Sequence, residues 1–194
     1  MTYSQTAPPA TGAPSTLKKP GTLLVLVVIS AISALSGLIG AIYVFAGGRG
    51  LAESYATNLV TSNPEVFDLD TVMETTGTDS AQDVIELAKS VDMWDSVVSI
   101  AHAEMIFKGF LLIAFAAPLL LFTLFALKGA TWARVLITSF AILSLFGDLA
   151  TAFGYGPQLL NITGFVGLPT AIIAVVLCWL PANNRYAKAR KLAA

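Results

Sequence analysis

Four stretches of the chain are nearly free of charge, and their lengths constrain the fold more than any other feature. Leu23 to Ala46, Gly109 to Leu127 and Leu160 to Leu180 carry no charged residue, and between Trp132 and Phe153 only Arg134 and Asp148 intervene. A helix rises about 1.5 Å per residue, so about twenty such residues cross a hydrocarbon core of about 30 Å. Backbone amides inside lipid must be paired within their own segment, which makes each span a helix. Charged residues are 12% of the 194, against about 25% in a soluble domain. The expected fold class is all-α: a polytopic membrane protein with four transmembrane helices at 22–46, 99–127, 131–153 and 160–180.

Between the first two spans lies an acidic segment, 47–98. It holds ten of the chain's twelve carboxylates, opposed only by Arg49 and Lys89, for a formal charge of −8. Its composition predicts an extracytoplasmic helical cap of about two helices. The first runs from Leu51 to about Val60, after the glycine-rich exit Gly47-Gly48-Arg49-Gly50 and before Pro64. The second opens at Ser80 with Asp83 three residues on, a capping-box spacing. Val84, Leu87, Ala88, Val91, Trp94 and Val98 recur at helical intervals and form its expected apolar face. Val66 to Asp79 lacks periodicity and reads as a loop. About fifty residues make a small cap, too few for a domain with its own large core.

The termini are of another kind. Residues 1–21 are rich in Pro, Ser, Thr and Ala and read as a disordered tail, ending in Lys18 and Lys19. The uncharged run that follows exceeds the 7–15 residues of a signal peptide's apolar region, so the expectation is an uncleaved first span. Residues 181–194 read as a basic tail. The two tails and the Lys128–Arg134 turn hold eight of the eleven basic residues and no carboxylate. The positive-inside rule then puts both termini in the cytoplasm and the acidic segment outside, in the plasma membrane.

Chemistry has few candidates here. Asp148 lies about 24 Å along the third span from Trp132, and an ionisable group at that depth normally has a partner. On the neighbouring antiparallel span Lys108 reaches the same level by snorkelling. Glu104 stands four residues before Lys108 in the favourable order for a helical pair, and His102 is close by. Asp148, Lys108, Glu104 and His102 are therefore the candidate intramembrane ion pair or proton site, with a register-locking ion pair weighted above a transport path. Ser33, Gly37 and Ala41, beside Ser36 and Gly40, form a helix-packing seam of small residues, assigned to this chain's own helices ahead of a homodimer. No catalytic residue, metal site or cofactor is expected. One His and one Cys assemble neither a catalytic triad nor a zinc set, no phosphate-binding glycine loop occurs, and no nucleic-acid partner is expected. Asn161-Ile162-Thr163 is a short glycosylation match at the start of a span.

Gly129-Ala130-Thr131-Trp132-Ala133-Arg134-Val135-Leu136 and the exit Trp179-Leu180-Pro181-Ala182-Asn183-Asn184-Arg185-Tyr186 resemble the third-helix entry and the ending of uncharacterised actinobacterial four-helix membrane proteins. In size and layout the chain is also similar to small accessory subunits of actinobacterial respiratory supercomplexes. The first resemblance covers the last third of the chain and implies a topology, the second is one of architecture only, and neither carries over any site residue. The expected function is a non-catalytic accessory or interaction subunit of a larger membrane complex, with lipids and other membrane subunits or a homo-oligomer as partners. The alternative is a small oligomeric transporter or channel using Asp148 and Glu104.

Overall fold

A computed structural model describes residues 18–128 and 130–192; most of the expected N-terminal tail lies outside them. The described residues form seven α-helices and one 3-10 turn, with no strand among them. Helix α1 (Gly21–Ser62), α4 (Met93–Ala126), α5 (Thr131–Phe153) and α6 (Gln158–Cys178) are each long and apolar enough to cross a membrane. They pack antiparallel in sequence order. Gly37 of α1 approaches Ala116 of α4, while Gly109 lies against Val44. Phe122 meets Trp132 across the α4–α5 turn, and Phe153 meets Phe165 across the next one. One consequence is that the start of α1, the α4–α5 turn and the last helix all lie at one end.

The distribution of side-chain size runs opposite to that of a soluble protein. The interior is lined by small residues such as Ala34, Ala41, Ala133, Ala141, Ala171 and Ala174, all fully buried. Large apolar side chains point outward, with Phe146 at 72% and Phe153 at 71% exposure. In water this would be an apolar surface far beyond the few hundred Å² a monomer tolerates. Between lipid tails there is no penalty, and tight contact through small residues is what drives association.

The acidic module folds onto the other end. Helix α1 is two helices in series that meet at the expected glycine exit: Gly48 is non-helical, with a φ of 50° readily adopted only by glycine, and the second helix runs on to Ser62. A 3-10 turn (Pro64–Phe67) and α2 (Leu69–Thr76) occupy the interval expected as a loop. Helix α2 was illegible because eight residues show barely two turns, and its anchor is one buried side chain, Leu69. Gly77 closes it in the left-handed conformation. Helix α3 (Ala81–Ser90) starts where expected, with the Ser80 hydroxyl accepting from the Asp83 amide at 3.2 Å. It ends earlier than its pattern implies, because Asp92 at φ 58° separates it from α4. The break rotates the face: Ile85, Trp94 and Val98 are buried, whereas Leu87 and Val91 are exposed.

Tyr55, Val60, Leu69, Ile85 and Trp94 share one apolar cluster with Val44, Met105 and Leu160 of the spans. The module is therefore an extension of the bundle core. At the opposite end the residues expected as a tail form α7 (Pro181–Leu192), with Asn183 and Tyr186 buried.

Candidate functional site

The outer ends of α4 and α5 were expected to hold one charged site; the structure divides it in two. Lys108 Nζ sits 2.6 Å from Glu104 Oε1 and donates to the Tyr155 carbonyl at 2.9 Å. It clasps α4 to the α5–α6 connector and forms no ion pair with Asp148, which corrects the expected pairing. The physical reason is reach against competition: Glu104, one helical turn away on the same helix, and a turn carbonyl satisfy the ammonium at the rim, where it keeps contact with water. His102 is half-buried.

Tyr55, in the module beyond the first span, packs into this junction with 8% exposure. Burial, then the Glu104 carboxylate and Tyr155, push its phenol up to about 12. The folded value lies above the unfolded one, so the stability it contributes is intact below pH ~10 and is lost as the pH rises through the folded value. Tyr55→Phe is expected to remove the last phenolate step from an alkaline absorbance titration. Persistence of that step in the variant would show that another tyrosine is responsible.

Asp148 lies deeper, with 6% exposure. On one side its carboxylate faces Gly167 of α6, where an added Cβ would overlap it. On the other it lines a cavity of about 20 Å³ together with Ser33 and Gly37 of α1, Leu112 and Ala116 of α4, and Ser144. Ser144 directs its hydroxyl to the Ala141 carbonyl at 3.0 Å, and Asp148 Oδ2 has no hydrogen-bond partner. The seam residues are turned inward around this region. Gly37 lies against Ala116 and Gly40 against Thr163 and Leu112, and the Ser36 hydroxyl donates to the Thr163 carbonyl at 2.9 Å. Ser33 and Ala41 are buried with them. This seam packs α1 onto α4 and α6 of its own chain.

A second polar centre, at the basic end, was legible only as interfacial anchors. Arg134 is 2% exposed. Its guanidinium donates to the Cys178 carbonyl at 3.1 Å and to Asn184 Oδ1 at 2.9 Å. Asn183 donates to the Leu177 carbonyl at 2.7 Å and accepts from the Thr22 hydroxyl at 2.7 Å. The Trp179 indole reaches Thr138 Oγ1 at 3.0 Å. Together these bonds tie the C-terminus of α6, where the unpaired carbonyls of a helix collect, to α1, α5 and α7. The two motifs quoted from the sequence are thus halves of one latch. Their signal in the sequence is Asn183-Asn184 after Pro181, the first buried and the second exposed, far along the chain from Arg134.

Among the described residues no group of three or more His, Cys, Asp or Glu side chains is placed to hold a metal ion. Asn161 of the sequon is partly buried, its amide turned to the Gly154 carbonyl. Compared with known protein-family models, curated proteins and solved structures, the chain matches none.

Proposed function

We propose that this protein is a non-catalytic integral protein of the plasma membrane, working as an accessory or interaction subunit of a larger membrane complex through its acidic module. In this reading the basic end faces the cytoplasm and the module faces outward, following the positive-inside distribution. The observation that carries it is the surface of the module. Val91 and Met93 are exposed at 56% and 65%, and Leu87 at 39%, on a segment studded with carboxylates and before the uncharged run of the second span. Of the module's carboxylates, only Asp95 forms an ion pair among the described residues, with Arg49. Apolar side chains rimmed by charge mark an interaction surface, and the shared core with the spans holds it rigid, so little ordering cost attends docking.

The reading is tested by affinity purification from native membranes in mild detergent. The expected result is stoichiometric recovery with one larger membrane complex, lost when Val91 and Met93 are both changed to Glu while thermal stability is kept. Recovery of a pure homo-oligomer that conducts ions in liposomes would overturn it in favour of the transporter. That alternative has little support, since Asp148 and Glu104 belong to separate local arrangements.

A further inference from the structure

The carboxyl at the centre of the bundle is not used by the interaction reading, and its surroundings are specific. Asp148 is more than nine-tenths buried, its Oδ2 has no hydrogen-bond partner, and the residue lines the cavity. Among the described residues no other titratable or charged group lines this cavity. α1 presents Ser33 and Gly37; α4 presents Leu112, Phe115, Ala116 and Leu119. α6 presents Gly167, and the α5 residue one turn earlier is Ser144. Lys108, the cation on α4, is occupied by Glu104 and the Tyr155 carbonyl.

A carboxylate at this depth without a cation is expensive. Two occupants can neutralise it, a metal cation or a proton. A metal cation wants several oxygen ligands around it, whereas this lining is mainly Leu, Phe, Ala and Gly. A proton needs only the carboxyl oxygen and a route. A volume of about 20 Å³ exceeds the 10–15 Å³ or so that a single water needs. The cavity lies between Asp148 and the face of α1 that carries Ser33. The close approach of Gly167 supplies the rest of the space, because any side chain there would occupy the carboxylate's position.

We propose that Asp148 is a proton-exchanging carboxyl in the interior of the bundle, taking up and releasing one proton by way of the cavity between α1, α4 and α5. The step is a simple association: the proton adds to the carboxylate and the acid loses it again to water. This inference is independent of the docking role of the acidic module.

Dicyclohexylcarbodiimide provides the test, since this apolar reagent enters from lipid and adds to a carboxyl only in its acid form. The full-length protein in liposomes is treated over a pH series from about 5 to about 9, a range that brackets the shifts seen for buried carboxyls, and the adduct is mapped by peptide mass spectrometry. The expected result is an adduct on Asp148, decreasing with pH along a one-proton curve and unchanged when sodium replaces choline at constant pH. Glu104→Gln is expected to leave it intact. The site is read in the wild-type protein, so the result does not depend on Asp148→Asn being stable. Absence of the adduct on Asp148 at every pH would overturn the proposal. So would fivefold or greater protection by sodium at constant pH, which would identify a metal-cation site instead.

Discussion

Replacing Arg134 with alanine is expected to lower the stability of the bundle by about 3 kcal/mol, the cost of leaving the acceptors of a charged donor unsatisfied in a buried place. The guanidinium serves two acceptors, the Cys178 carbonyl and Asn184 Oδ1, and its positive charge sits at the negative end of the α6 dipole. Both bonds leave from Nη1, and Arg134→Lys is expected to recover less than half of the loss, because the lysine stem is one atom shorter and its ammonium falls short of that position. Cys178 is the chain's single cysteine, is fully buried, and is the residue whose carbonyl the arginine holds. A thiol-reactive fluorogenic dye in detergent therefore reports the opening of this joint directly. For a chain of this size the midpoint should fall by roughly 6–12 °C. A midpoint within a degree or two of wild type would reduce Arg134 to a topological signal.

The second large effect is expected at Gly164. A Cβ there would lie 2.5 Å from the Ala152 amide nitrogen and the Thr151 hydroxyl, and 2.8 Å from the Asp148 carbonyl oxygen. Two of these three atoms are backbone, so no rotamer change relieves the overlap and α5 must move away from α6. Gly164→Ala is expected to cost about 2–3 kcal/mol, the range for overpacking a close interface. Gly147→Ala supplies the contrast. Its added methyl meets nothing nearer than the Phe115 ring at 3.7 Å, ordinary contact, and alanine is the better helix former by roughly 0.5–1 kcal/mol. Equal melting points for the two variants would show that the α5–α6 approach is looser than these distances.

How far the residues alone lead differs sharply between the spans and the site. The four spans, the Ser80 cap and the inward use of the small-residue seam all follow from local rules: run length, an N-cap spacing, residues four apart. Helix α2 and the break at Asp92 do not, since eight residues carry too little periodicity and a left-handed aspartate has no sequence signature. The expected Asp148–Lys108 pair was wrong for a related reason. Depth along two helices was readable, but whether Lys108 turned to Asp148 or to Glu104 and the Tyr155 carbonyl depended on rotation about the helix axes.

By itself, then, the sequence determined the class of structure, because hydrocarbon leaves a polypeptide few ways to satisfy its backbone, and any run this apolar and this long must take one of them. It also determined the segregation of charge between the two ends, since composition needs no fold to be read. Only the tertiary structure decided which polar groups meet. It brought Arg134 to Cys178 and Asn184 across 44 and 50 residues of chain, and it left the Asp148 carboxylate between a glycine and a cavity. Those arrangements arise from the rotation and close approach of whole helices, a long-range property that no spacing within a single helix records.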